Sequence, residues 1–162
     1  MATPSDISAQ FREIYLEGTW VIGTNLKDVL KSISWTNAIA TIGKHNSIAA
    51  LTYHLQYYIK GVQQVLEGGS LDTKDVYSFD LDPIDSQEKW VLLRDSMVSD
   101  LTLFADTVAS LPEASLSQAF VDPKYGSLER NLQVIIEHGY YHFGQIVMLT
   151  KLIPSEEQAA RQ

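Results

Sequence analysis

The chain has 162 residues, no cysteine and a formal net charge of -8 at pH 7. This length suits one domain with a buried core, and without cysteine there can be no disulfide, thiolate metal site or cysteine nucleophile. The acidic charge disfavours nucleic acid as a partner, and no apolar run is long enough to span a membrane. We expect a cytoplasmic protein, because the start of the chain lacks the basic-then-apolar pattern of a secretory signal.

Helical spacing begins near the start of the chain and is soon interrupted. Apolar residues recur every three or four positions in residues 6–16, and Ser5 is the predicted N-cap. Glycines in residues 18–23 break the pattern. Asn25 then caps a short predicted helix, and residues 35–39 form one further helical turn.

The strongest helical pattern covers residues 47–66. The residues predicted to share its buried stripe are Ser47, Ala50, Leu51, His54, Tyr58, Gly61 and Val65. The polar residues predicted to lie on its other side are Thr52, Gln56, Lys60 and Gln63. Gly68 and Gly69 end this helix, and the aspartate-rich residues 71–83 form a long loop.

Two more long helices are predicted in the second half of the chain. The first begins near residue 85 or 86 and is stopped by Pro112. The second covers about residues 127–152, and Pro154 separates it from a polar tail at about residues 155–162. Four main helices with long second and third connections predict an all-α single domain over residues 1–162, namely a four-helix bundle with crossover connections.

Three of the four histidines fall on predicted buried stripes: His54 in the second long helix, and His138 and His142 in the last. A His-x-x-x-His pair places two side chains on one helical face, and a third from a facing helix can complete a trio of ligands. A metal would satisfy one nitrogen of each buried imidazole. The spacing therefore predicts a divalent-metal site, and three separately satisfied core histidines are the alternative.

Polar and aromatic residues near the histidines are candidates for supporting roles. Asn131 and Gln145 share the buried stripe of the last helix and could hydrogen bond to the ligands from behind. For aromatic residues a core or interface role is the commoner one. The candidates for the pocket wall are Tyr57, Tyr58, Trp90 and Tyr141.

The histidine pair does not form the zinc-protease signature, in which a glutamate directly follows the first histidine. Here Glu137 precedes His138, and Gly139 takes the place of the catalytic glutamate. Glu137 also lies on the predicted polar face of the helix. Metalloprotease chemistry is therefore not expected.

Two other groups of possible ligands are left outside the site. His45 lies nine residues before His54, which in a helix is about 13 Å along the axis and half a turn around it. Three aspartates resemble part of a calcium loop but lack its glycine and distal glutamate, so we interpret them as a solvated acidic loop. These are Asp80, Asp82 and Asp85.

Two segments carry a pattern with a family resemblance. Residues 45–54 read HNSIAALTYH and residues 137–146 read EHGYYHFGQI. Together they resemble the DinB-like superfamily of bacterial four-helix bundles with a three-histidine metal site, and the resemblance covers nearly the whole chain. The positions that match the family's motif are His54, His138, His142, Gly144 and Gln145.

The resemblance implies a zinc, nickel or iron ion held by these three histidines. Characterised relatives include transferases and isomerases in which the metal activates a low-molecular-weight thiol such as bacillithiol or mycothiol. By the same resemblance we expect a small-molecule substrate and a homodimer.

Two hypotheses for function stay open. In the first, the chain is an enzyme, because three neutral imidazoles leave open positions on a metal. In the second, it is a non-catalytic binding or interaction protein with a structural or vestigial metal, and Tyr53 and Tyr140 are available to a partner. A metal at the base of an open cleft favours the enzyme, whereas a sealed metal favours the second hypothesis.

Overall fold

The computed structural model describes residues 2–154, and this part of the chain is mostly helical. Its α-helices are α1 (Pro4–Arg12), α2 (Leu26–Lys31), α3 (Trp35–Ile39), α4 (Ile48–Leu66), α5 (Gln87–Ala109) and α6 (Leu128–Leu152). A π-helical turn, Glu13–Glu17, continues α1, and short 3-10 turns lie in the connections before and after α5. The described residues form no strand, only an isolated bridge between Ala119 and Ser127. The all-α class is confirmed.

Two further expectations from the sequence concern a membrane-spanning helix and the polar tail at the end of the chain. Within residues 2–154, no helix combines the length and apolar character needed to cross a bilayer. The predicted polar tail at residues 155–162 lies outside the described residues.

Side-chain caps explain why most predicted helix boundaries are confirmed. In each of the later helices a cap residue accepts a hydrogen bond from a backbone N–H in the first turn, which fixes where the helix begins. These caps are Asn25, Ser34, Ser47, Ser86 and Ser127.

The predicted cap of α1, Ser5, is wrong. Thr3 Oγ1 accepts from the Asp6 N–H at 3.1 Å, and the Asp6 carboxylate accepts from the Thr3 N–H at 2.9 Å. This reciprocal capping box satisfies two backbone donors and starts α1 at Pro4, earlier than the apolar pattern predicts.

The helices α1, α4, α5 and α6 surround one hydrophobic core. α5 contacts both α1 and α4, and α6 also contacts both of them. The core includes Phe11, whose ring centroid lies 4.8 Å from that of Phe104. Trp90 is fully buried, and its Nε1–H donates to the Ile33 carbonyl at 2.9 Å. Trp90 therefore belongs to the core, and its candidacy for the pocket wall is wrong.

The prediction that Thr52, Gln56 and Gln63 lie on the outer side of α4 is wrong, because all three are buried. The Gln56 amide donates to Asp100 Oδ2 at 2.6 Å, and the Gln63 amide donates to Thr107 Oγ1 at 3.0 Å. Both partners belong to α5. Polar residues are buried here because the facing helix supplies polar partners.

Gly139 lies where α6 packs closely against Tyr15. The Tyr15 hydroxyl donates to the Ile135 carbonyl at 3.1 Å, and a Cβ added at Gly139 would overlap the Tyr15 ring and hydroxyl. A Cβ added at Gly144, in the same helix, would meet no other atom within 4 Å. The two glycines therefore occupy opposite steric environments.

We expect Gly139→Ala to lower the free energy of unfolding by about 1–3 kcal/mol, because the new methyl group overpacks the contact with Tyr15. Gly144→Ala should instead raise it by up to about 1 kcal/mol, because alanine favours the helix and nothing obstructs it. Chemical denaturation of both variants measures the difference. Similar effects of the two substitutions would contradict the close approach at Gly139.

Candidate metal centre

His54 on α4 and His138 and His142 on α6 converge between the two helices. Ring nitrogens of all three, one from each residue, lie within 4.8 Å of one another. The Nε2 atoms of His54 and His138 are 3.2 Å apart. Within residues 2–154, this is the one group of three or more histidine, cysteine or carboxylate side chains arranged so that it could hold a metal ion. The predicted trio is therefore brought together.

The distance between two of the ring nitrogens fits a shared divalent metal. In a tetrahedral zinc site each nitrogen lies about 2.0–2.1 Å from the metal, so neighbouring nitrogens are roughly 3.4 Å apart. The 3.2 Å between the Nε2 atoms of His54 and His138 is close to that value. Two unprotonated nitrogens at this distance repel each other, so a proton or a cation must lie between them. An all-imidazole donor set suits zinc, nickel or iron.

Hydrogen bonds on the far side of the rings set the tautomers. His54 Nδ1 lies 3.3 Å from the Ser78 carbonyl oxygen, and His142 Nδ1 lies 2.6 Å from Gln145 Oε1. Both partners are acceptors, so each Nδ1 carries the proton and donates it. The Nε2 lone pairs are then left for a metal. Gln145 thus contacts His142, and its role behind a metal ligand stays a prediction.

Aromatic rings cover the centre on one side. Phe79 stacks on His54, with ring centroids 4.1 Å apart and planes inclined by 12°. Tyr58 packs edge-on against His54 and His138 at centroid distances of 5.0 and 5.2 Å. The candidate Tyr58 therefore contacts two of the three histidines, and these rings exclude water from this side.

The long loop between α4 and α5 is part of the site, which the sequence pattern does not predict. It supplies both the Ser78 carbonyl and the Phe79 ring. The Tyr58 hydroxyl donates to Asp75 Oδ1 at 2.7 Å, and the Tyr57 hydroxyl donates to the Lys74 carbonyl at 3.0 Å. An aromatic residue inside an aspartate-rich loop was the only available signal for this role.

The three histidines are largely removed from solvent. His54 and His142 expose 8% and 7% of their surface, and His138 is half-buried. The sequence predicts His138 on the buried stripe of its helix, but the residue is only half-buried, because the buried face of α6 is centred on Ile136, Gly139 and Phe143.

Burial lowers the pKa of all three imidazoles. For His54 the neighbouring His142 adds to this effect. For His138, burial and then the two neighbouring histidines lower the pKa to about 4. The histidines are therefore neutral at pH 7, the form in which imidazole binds a metal.

Asn131 does not support the ligands as predicted. Its amide nitrogen donates to the Tyr125 and Ser127 carbonyls, both at 2.8 Å, so it ties the preceding loop to α6. It also lies two turns, about 10 Å, before His138 along the helix. Its polarity reflects a local connection.

The residues that the sequence analysis excluded as metal ligands do not belong to the histidine cluster. Glu137 is exposed and pairs with Arg130 at 2.9 Å, so it points away from the histidines. His45 lies in the exposed loop before α4. Asp85 pairs with Lys89 at 2.8 Å.

A cleft of about 630 Å³ adjoins the centre on another side. His142, Gln145 and Tyr141 line it from α6, and Leu51 lines it from α4. The loop before α4, residues 42–46, supplies further lining. Of the four predicted wall aromatics, Tyr141 lies in this cleft, whereas Tyr57 and Tyr58 lie beside the long loop. His142 is thus shared between the cluster and the cleft.

Comparison with family models, curated proteins and solved structures gives no match for this chain. The candidate metal centre therefore rests on the geometry of the three histidines and their neighbours. The DinB-like resemblance of residues 45–54 and 137–146 stays a prediction.

We expect Gln145→Ala to weaken zinc binding by about 10- to 100-fold, because His142 Nδ1–H loses the acceptor that orients the ring. Gln145→Glu is the matched control, since its carboxylate keeps an acceptor at the same reach. Titration calorimetry with zinc measures both affinities. Wild-type affinity in Gln145→Ala would show that the contact does not orient the ligand.

We expect the metal-free protein to become less stable as the pH is lowered from about 6.5 to about 4. In this range the unfolded chain takes up a proton at residue 138, while the folded protein, with a pKa of about 4 for His138, does not. Protonation therefore favours the unfolded state, and stability is regained as the pH rises through this window. Urea unfolding of wild type and His138→Gln at several pH values measures the slope. An equally steep slope in the variant would contradict the assignment.

Proposed function

We propose that this chain is a metal-dependent enzyme of the DinB-like type, in which a divalent metal activates a low-molecular-weight thiol or water for transfer to a small electrophile. The observation that carries the proposal is the convergence of His54, His138 and His142 beside a cleft of about 630 Å³. The sequence resemblance to the DinB-like superfamily, which includes the same three histidines, also supports it.

The proposal includes the architecture. α1, α4, α5 and α6 form a four-helix bundle in which α5 and α6 each adjoin α1 and α4. The connections from α1 to α4 and from α5 to α6 join helices that do not pack side by side, so they are the crossover connections. The ligands then come from two adjacent helices of the bundle, which is the usual way such folds build metal sites. We include a homodimer in the proposal on the family resemblance alone.

Each part of the site has a separate task. A divalent ion held by three neutral imidazoles would supply the positive charge that lowers the pKa of a bound thiol or water. His54, His138 and His142 would hold the ion, and Ser78 and Gln145 fix the orientation of His54 and His142 by hydrogen bonds. The Phe79 and Tyr58 rings keep water from one side, so reactants approach through the cleft beside His142.

The thiol is supplied by a cosubstrate, because the chain has no cysteine. In the transfer, the sulfur forms a bond to an electrophilic carbon as the leaving group departs with the bonding electron pair. The thiol proton passes to solvent. The chain's own residues would hold the metal and line the cleft in which the reactants meet.

A non-catalytic binding protein with a structural metal is the second candidate. It is favoured by the low exposure of His54 and His142 and by the rings packed on the centre. The cleft lined by His142 favours the enzyme, since closed structural sites have no such access.

Elemental analysis of untagged protein tests the metal. We expect about one equivalent of divalent metal per chain in wild type and its loss in the double variant His138→Ala, His142→Ala. His45→Ala is the matched control and should keep its metal, because His45 lies outside the cluster. Absence of metal in wild type, even after incubation with zinc, nickel or ferrous iron, would overturn the proposal.

Activity is tested with metal-loaded protein, a set of low-molecular-weight thiols and chlorodinitrobenzene as the electrophile. Release of the coloured thioether should be faster than the uncatalysed rate and should return to that rate in the metal-free protein and in His138→Ala. Bound metal without thiol- or water-dependent turnover of any electrophile would favour the non-catalytic candidate.

A further inference from the structure

The cleft beside His142 combines apolar and basic lining. Its aliphatic and thioether residues are Ile42, Leu51, Met148, Leu149 and Leu152. The loop before α4 adds Lys44 and His45. Among the described residues that line the cleft, there is no aspartate or glutamate. Its chemistry therefore suits a ligand with an apolar body and a negative group.

This basic lining differs from the charge of the molecule as a whole. The net charge of -8 repels anions on average. A lysine in a carboxylate-free cleft is a local exception, and it gives an anionic group a favourable partner there. A neutral or cationic ligand would gain nothing from Lys44.

The size and exposure of the cleft match a small-molecule site. Its volume of about 630 Å³ lies within the range of such sites, which is roughly 300–1,000 Å³. Tyr141, Met148 and Leu152 are 63%, 57% and 53% exposed along α6, so they form an uncovered apolar surface. The segment from Tyr141 to Leu152 is about 16 Å long.

We propose that this cleft binds a small amphipathic organic anion, with its apolar body on α6 and its anionic group at Lys44. This inference rests on the proposed function and adds to it the chemical class of the substrate. His142 and Gln145 belong to the same cleft, so a ligand bound there lies beside the metal centre. The binding itself requires no metal.

Two fluorescent probes with the same rings test the charge requirement. Anilinonaphthalene sulfonate is an amphipathic anion, and phenylnaphthylamine is its neutral counterpart. Titration of metal-free and zinc-loaded protein should show tighter binding of the sulfonate in both forms. Lys44→Ala should weaken sulfonate binding by roughly three- to fivefold, as expected for a partly exposed charge pair, and leave the neutral probe unchanged. Lys60→Ala is the matched control, because Lys60 is exposed on α4 outside the cleft and its loss changes the net charge equally.

A second substitution tests the location. Gly144 lines the cleft and has open space where a side chain would begin, so Gly144→Leu should fill the cleft without disturbing the core. We expect it to abolish binding of both probes, whereas Gly144→Ala should retain part of it. The zinc content of Lys44→Ala and Gly144→Leu should equal that of wild type, since neither residue is a ligand.

Each outcome decides between the alternatives. No binding of the sulfonate to wild type, equal effects of Lys44→Ala and Lys60→Ala, or unchanged binding in Gly144→Leu would overturn the amphipathic-anion site. Sulfonate binding in a protein that takes up no zinc would leave this site standing and remove the proposed enzyme. Zinc uptake without sulfonate binding would overturn the amphipathic-anion site and leave the proposed metal-dependent enzyme standing.

Discussion

The packing of α4 against α6 is the constraint on which the candidate centre depends. Helix periodicity alone places His138 and His142 on one face of α6. Only tertiary contact brings His54 Nε2 to 3.2 Å from His138 Nε2. That contact concentrates three imidazoles where burial lowers their pKa, which is unfavourable for isolated side chains. The surrounding core stabilises this arrangement, and a metal would relieve the repulsion of the facing nitrogens.

The helices could be predicted because their signals are local. Ser47, Ser86 and Ser127 each reach a backbone N–H three residues ahead, so the cap and the apolar spacing that follows define the start of a helix. At the start of α1 both Thr3 and Ser5 are residue types that cap helices. Thr3 is the cap because Pro4 suits the first helical position and Asp6 completes the capping box. The inward direction of Gln56 could not be predicted in this way, because its partner Asp100 is on another helix.

The ligands were more predictable than their surroundings. The three histidines and Gln145 lie on periodic helices, and their shared faces follow from spacing. Ser78 and Phe79 belong to a loop without periodicity, and Ser78 lies 24 residues from the His54 ring that it contacts. Such contacts depend on the path of the loop, which Tyr57 and Tyr58 fix by hydrogen bonds. Asn131 illustrates the opposite error, since it shares the predicted face but bonds to its own loop.

The two sides of the centre differ in a way that bears on reactivity. On the loop side, Phe79 and Tyr58 cover the imidazoles, and this explains the low exposure of His54. On the other side, His142 and Gln145 are also part of the cleft wall. The low exposure of His54 and His142 is therefore compatible with a cleft beside the histidine cluster. A metal held by these histidines would be covered on the loop side and would have the cleft beside His142 on the other side. This difference supports the proposal that a nucleophile bound from the cleft side is activated there.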